Sequence, residues 1–228
     1  MLTQRGVLPL GSYRLGRAVN KPQIDAVELT DKHCRFSSKG EYFALDYSDI
    51  TPGTIILTSS QNLPINIFQQ RILPHCHKRI WMWSHVAIMG ADGHVWDLMP
   101  SIDVRRLPFE TFISNSYYVA ARRFKHVPID PDLLRRKIAE QSHASYAHFT
   151  PQFLNAILRS FAHRDTAELK LNRGELLCSS YVDRILGNTI DRDPLDDLVV
   201  GYPLPAHFAL SDNFSDVLLR NKFFRLRS

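Results

Sequence analysis

The sequence predicts an α+β fold, a central antiparallel sheet packed against helices. Two observations carry the class. Four short, strand-like apolar segments gather in the middle of the 228-residue chain, with helical patterns before and after them. Two of these segments flank a tight Gly-closed turn, Gly90-Ala91-Asp92-Gly93, the signature of an antiparallel hairpin.

Taken in order, residues 1–45 mix Gly, Pro and charged residues with little periodicity, which predicts an irregular N-terminal arm wrapped on the core. Asp49-Ile50-Thr51-Pro52-Gly53 reads as a turn and Thr54 to Thr58 as the strand it starts. Leu63 to Leu73, with Ile65, Ile67, Phe68 and Ile72, has the spacing of a short amphipathic helix. Trp83 to Met89 is the next strand. In the hairpin that follows, a three-residue loop with Gly93 left-handed pairs Gly90 with His94. That register sets Asp97 opposite Ala87, on the face carrying His85. A two-residue loop would instead present Trp96 and His94, and the terminal Gly favours the first register.

Tyr117 to Arg122 reads as another strand. Pro131 to about His143 reads as a helix, with Asp130 as N-cap and Pro131 at the first position. A second helix is expected over Pro151 to Phe161 behind Thr150. A third is expected over Gly174 to Leu186, with Gly187-Asn188 as the stop. Pro203, Pro205 and a basic tail, residues 211–228, close the chain.

Composition narrows the class without naming a function. The hydrophobic share of 44% and charged share of 22% are those of a globular protein. The net charge of +5 comes from short groups such as Arg105-Arg106, Arg122-Arg123 and Arg135-Arg136-Lys137, which read as solvated faces. They permit an anionic partner, a wall polymer or a membrane surface, and mark no nucleic-acid site. Three cysteines make no disulfide framework, so free thiols and synthesis in a reducing cytoplasm are expected. Residues 1–20 lack the apolar core of a signal peptide, and no stretch approaches the ~20 apolar residues of a membrane span. A target outside the cytoplasm therefore requires another delivery route.

Three side chains carry the chemistry. Cys178 opens the last predicted helix on the face shared with Val182 and Ile185, where the helix dipole and free N–H groups favour a thiolate and can stabilise an oxyanion. A free cysteine in that position is commonly a packing residue, and so is a lone strand histidine. The combination says more. An imidazole at His85, a carboxylate at Asp97 to fix its tautomer and a cysteine at a helix N-terminus form a nucleophilic set, with His94 in reserve for the third role.

These segments together resemble the circularly permuted branch of the papain-like NlpC/P60 superfamily, which includes YiiX-like hydrolases and lecithin retinol acyltransferase-like proteins. Pro52-Gly53-Thr54-Ile55-Ile56-Leu57 is similar to its first strand, with Thr54 in place of the usual acidic residue. Ser84-His85-Val86-Ala87-Ile88 is similar to its histidine strand, and Val95-Trp96-Asp97 falls at its third catalytic position. Leu177-Cys178-Ser179-Ser180-Tyr181-Val182 is similar to its nucleophile helix, and Tyr146-Ala147-His148-Phe149 to the segment before it. The resemblance covers residues 46–210 and implies a permuted papain-like catalytic domain there. It implies Cys178, His85 and Asp97 as the catalytic set, with Ser84, Trp83, Tyr146 and Ser179 as candidate substrate contacts. It also implies hydrolysis of peptidoglycan stem peptides without a cofactor. Without a signal peptide, such a protein is similar to an antibacterial effector that a secretion apparatus carries into a target-cell periplasm, countered by a cognate immunity protein. The alternatives are a lipid thioesterase or acyltransferase on the same scaffold, and an inactive interaction module. Trp81, Met82 and Trp83 either line the cleft or pack in the core. His75-Cys76-His77 with Cys34 matches no established zinc spacing, and no metal site is expected.

Overall fold

The computed structural model describes residues 12–14, 33–38, 41–59, 63–73, 76, 78–100, 102–113, 116, 118–146, 175–198, 202–217 and 219–225. The strands among them are β1 (Ser12–Arg14), β2 (His33–Ser38), β3 (Glu41–Asp46), β4 (Ile55–Ser59), β5 (His85–Met89), β6 (Val95–Met99) and β7 (Asp103–Leu107). They continue with β8 (Tyr118–Phe124), β9 (Ser145–Tyr146), β10 (Glu175–Leu176), β11 (Phe214–Val217) and β12 (Arg220–Arg225). The helices are α1 (Leu63–Ile72), α2 (Lys78–Trp81), α3 (Phe109–Ile113), α4 (Pro131–Glu140), α5 (Cys178–Ile190) and α6 (Pro205–Leu210).

The main sheet runs β1-β8-β4-β5-β6-β7, with β11 also on β8, and every pairing in it is antiparallel. The α+β class follows. Its middle strands carry continuous apolar runs because both sheet faces are covered. Ile55 and Leu57 of β4, with Val86 and Ile88 of β5, join a core with α4 and α5. Ile56, Ala87, Met89, Val95, Val119 and Ala121 join a second core with Tyr47, Phe109, Phe112 and Ile113. A strand buried on both faces loses the apolar/polar alternation, which is why the run Ile55-Ile56-Leu57 contains no polar residue. In α5, Tyr181, Val182, Ile185 and Leu186 are fully buried. Val182, Ile185 and Leu186 each contribute about 1.5–3 kcal/mol of burial free energy.

The hairpin between β5 and β6 takes the register favoured from the sequence. Gly90 N–H donates to His94 O at 2.8 Å, Ile88 faces Trp96, and Gly93 sits at φ +75°. Asp130 caps α4 by accepting from Asp132 N–H at 2.9 Å, as the Asp-Pro start predicts.

Other expectations need correction. The N-terminal arm is not irregular throughout: β1 adds to the edge of β8, and β2 and β3 form a small antiparallel sheet with β12 of the basic tail. The helix expected from Gly174 begins at Cys178, because Glu175 and Leu176 pair instead with Ser145 and Tyr146 as a short parallel bridge. Gly187-Asn188 does not stop it. The helix continues to Ile190, and Asp191 closes it in the left-handed conformation (φ 54°, ψ 42°). The expected helix over Pro151 to Phe161 lies outside the described residues. Arg105 and Arg122 are not solvated: Arg122 donates to the carbonyls of Phe208, Ser211 and Phe214, and Arg105 lies on Asp97.

Candidate active site

The site begins with how the chain delivers His85. Gln69, fully buried on α1, donates through Nε2 to Trp81 O at 3.1 Å and to Trp83 O at 2.8 Å, and accepts through Oε1 from Ala206 N–H at 2.9 Å. One amide thereby satisfies three backbone groups and pins the segment that leads into β5. Ser84 N–H donates to Thr58 O at 3.0 Å and extends the β4–β5 pairing up to His85. The histidine is 14% exposed in its side chain, and its ring lies 5.8 Å, centroid to centroid, from that of Phe112.

Asp97 sits one strand away and is fully buried. Its Oδ2 lies 2.9 Å from His85 Nε2. A buried carboxylate needs more than one partner, and Asp97 has a second directly across on β7. Arg105 donates to it twice, Nε to Oδ1 at 3.0 Å and Nη2 to Oδ2 at 2.6 Å. Burial alone would raise the Asp97 pKa, but hydrogen bonds and charge from His85 and Arg105 outweigh it and hold the carboxyl below its ordinary value.

Cys178 meets the imidazole from α5. As the first helical residue it has no intrahelical acceptor for its own N–H. The preceding Leu177 N–H is already engaged by Ser180 Oγ at 2.9 Å and Tyr202 Oη at 3.3 Å. Burial disfavours the His85 imidazolium. The negative charge of a Cys178 thiolate, the hydrogen bonds to Asp97 and Cys178, and the charge of Asp97 together overcome that penalty and push the pKa up to about 10. With Nε2 on Asp97, Nδ1 is the ring nitrogen left to serve the thiol. The imidazole is therefore anchored on a carboxylate within electrostatic reach of a sulfur, and its protonated form is the favoured one.

Two phenols complete the surroundings. Burial, followed by the charge of Cys178, raises the Tyr146 pKa. Tyr202 is also raised, by burial first and by Cys178 among lesser causes, while its hydrogen bonds to Ser180 and Leu177 act against the shift. Both rings thus lie within electrostatic reach of the sulfur. Asp103, at φ 61° as the first residue of β7, accepts from Tyr146 N–H at 2.9 Å and ties this strand to the sheet.

The remaining predicted residues are placed as follows. Trp83 is 1% exposed and packs in the core, so it offers no surface to a substrate. Ser179 is fully buried and donates to Pro203 O at 2.7 Å. Ser84 is buried at the start of β5, and Tyr146 is 6% exposed. His94 stands at the hairpin turn against Asp92 O at 3.0 Å, so it is Asp97 that meets His85. Cys76 is half-buried and its thiol pKa is raised by burial, while His75 and His77 lie outside the described residues. Among the described residues no three His, Cys, Asp or Glu side chains gather as metal ligands.

Sequence reasoning missed Arg105, Gln69 and Tyr202. A signal existed for the first: a turn around Pro100, pairing Met99 with Asp103, sets Asp97 opposite Arg105.

No protein-family model matches the chain, and no curated protein matches it. Four chains of solved structures match. One is the metalloprotein yiiX from Escherichia coli O157:H7, with 12% identity, coverage of 75% of this chain and 98% of that chain, and a TM-score of 0.49. A superposition that loose transfers neither a fold assignment nor a residue role.

Proposed function

We propose that this chain is a cysteine hydrolase, a peptidase or amidase of the permuted papain-like NlpC/P60 kind, with a catalytic domain over residues 46–210. The observation that supports it is the imidazole of His85, held between the Asp97 carboxylate and the thiol of a cysteine that opens a helix. A packing cysteine has no use for a polarised, carboxylate-anchored imidazole at its sulfur.

In this mechanism the proton resides on His85 and the negative charge on Cys178. The sulfur attacks an amide carbonyl carbon, forming the C–S bond, and the Cys178 N–H stabilises the oxyanion. Collapse of the tetrahedral species breaks the C–N bond, and His85 gives its proton to the departing amine. Water then attacks the thioester, His85 takes its proton, and the C–S bond breaks to release the acid and restore the thiolate beside a protonated His85. Asp97 keeps Nδ1 aimed at the sulfur throughout.

The substrate we propose is the stem peptide of peptidoglycan. The net charge of +5 suits an anionic wall polymer. No described helix is long and apolar enough to cross a membrane. Delivery by a secretion apparatus into a target periplasm, with an immunity protein protecting the producer, belongs to the same proposal.

Purified wall digested with the protein tests it. Soluble muropeptide fragments, identified by mass, are expected from the parent and absent with Cys178→Ala. Equal product from both, or none from the parent, refutes the peptidase. If wall gives nothing while an acyl-ester probe labels Cys178, the same residues serve an acyltransferase or thioesterase instead.

A further inference from the structure

We propose that Arg105 is a positioning residue of the site: its guanidinium fixes the orientation and charge of Asp97, and through Asp97 the direction in which His85 faces Cys178. The inference rests on the reading of Cys178 and His85 as a reactive pair.

The geometry carries the argument. Asp97 and Arg105 are register partners on neighbouring strands, so their backbones hold them opposite each other before any side-chain interaction forms. The guanidinium engages both carboxylate oxygens, at 3.0 and 2.6 Å, in the fork that a planar donor set makes with a planar acceptor. A carboxylate held at one oxygen can swing about its terminal bond; one held at both cannot. Oδ2 is thereby left with one direction for a further donor, and His85 Nε2 fills it at 2.9 Å. Arg105 is 23% exposed in its side chain, which limits competition from water for the fork.

Charge follows from the same contact. A fully buried carboxylate is disfavoured by desolvation, and His85 is its only cationic partner besides Arg105 among the described residues. A neutral Asp97 would no longer favour the imidazolium. Arg105, always protonated, helps hold the Asp97 pKa below its ordinary value and so keeps it charged to lower pH. Its consequence is a site that stays competent into acid. An ordinary structural ion pair would stabilise the sheet but leave the titration of the thiol–imidazole pair alone.

Two variants separate charge from geometry. Arg105→Lys keeps the charge and loses the fork; Arg105→Met loses both. Alkylation of Cys178 by iodoacetamide is followed against pH in the intact protein, and the His85 imidazole is titrated by NMR. For Arg105→Met the acid limb of the alkylation profile is expected to move up by roughly one pH unit or more, with the plateau down about tenfold. For Arg105→Lys the acid limb is expected to stay in place while the plateau falls about tenfold. Should Arg105→Met not fold, Arg105→Lys and its NMR titration decide. Folded variants that keep both the parent's alkylation profile and its His85 titration overturn the proposal. If the parent cleaves no substrate, the hydrolase reading falls, whereas the role of Arg105 is still decided by the two titrations.

Discussion

Asp97→Asn tests the centre of the site with an almost isosteric change. Three donors converge on the native carboxylate: His85 Nε2, Arg105 Nε and Arg105 Nη2. Asparagine supplies one acceptor oxygen and an amino group that is itself a donor. Placed with its oxygen at the Oδ2 position, it keeps His85 and Arg105 Nη2 but sets N–H against the Nε–H of Arg105. Flipped, it accepts from Arg105 Nε and sets two donors at the Oδ2 position. His85 Nε2 must then become an acceptor, moving the ring proton to Nδ1, against Cys178.

Either arrangement loses at least one charge-assisted hydrogen bond and leaves a half-buried guanidinium without its counter-charge. The expected cost is about 2–4 kcal/mol, below that of deleting a buried partner outright because the shape and one acceptor survive. In a chain of this size the melting temperature should fall by roughly 5–15 °C. The His85 pKa should fall by roughly 1–3 units with the loss of the Asp97 charge. Alkylation of Cys178 at neutral pH should slow about a hundredfold. Thermal unfolding, NMR titration and iodoacetamide kinetics on one preparation read all three. A variant that melts with the parent and keeps its His85 titration would refute Asp97 as the anchor of the imidazole.

Three further outcomes are expected. His85 has a folded pKa of about 10 against an ordinary 6.5, so its contribution to stability is complete below 6.5 and is lost as pH rises through about 10. Urea midpoints across that window should decline more steeply in the parent than in Cys178→Ala, which removes the charge that helps raise His85; equal slopes would count against the pairing. Asp183 behaves oppositely to a paired acid: burial, then the charge of Asp193, push its carboxyl up to about 7, and its Oδ1 is buried with no hydrogen-bond partner. Stability should therefore drain as pH rises from 3.8 to about 7, and Asp183→Asn should exceed the parent by about 1–3 kcal/mol above that window but not below it. An equal difference at both ends, measured by chemical denaturation, would refute it. Finally, Gly53 stands at φ +79°, and a Cβ there would lie 2.7 Å from Ile129 Cγ1 and 2.8 Å from its Cγ2, so no rotation about the β-branched Cβ clears both. Gly53→Ala should cost about 1–3 kcal/mol with the urea m-value unchanged, and a midpoint equal to the parent's would show that the turn adapts.

Much of the sheet was legible because its signals are local. Gly93 closes a turn that sets the pairing parity, and parity alone decides whether Asp97 or Trp96 shares a face with His85. Asp130-Pro131 announces a helix by its own capping chemistry. Less legible were the features that depend on distant partners. Glu175 and Leu176 have helical neighbours in sequence, yet pairing with Ser145 and Tyr146 draws them into a strand and moves the helix start to Cys178. That shift matters to the chemistry, because a cysteine at the first helical position has a free N–H, whereas one a full turn inside would not. Likewise β2 has little apolar signal, and the short run Tyr42-Phe43-Ala44-Leu45 of β3 becomes a strand by pairing with β2 and with β12 from the far end of the chain.

Arg105 was illegible for a different reason. A pair of arginines reads as a solvated face, and for Arg106, 48% exposed in its side chain, that reading is right. Neighbours along a strand point to opposite sides, so the same dipeptide places one guanidinium at the surface and the other inside. The hairpin register had already turned Asp97 inward beside His85. A carboxylate buried with a single, titratable partner has acceptor sites and charge left uncompensated, which favours a further donor, best a cation, within reach. Counting from the turn at Pro100 gives two candidates on β7, and parity selects Arg105, which stands opposite Asp97. The unmet electrostatic demand of Asp97 was therefore the clue, and the charge pattern taken alone pointed away from it.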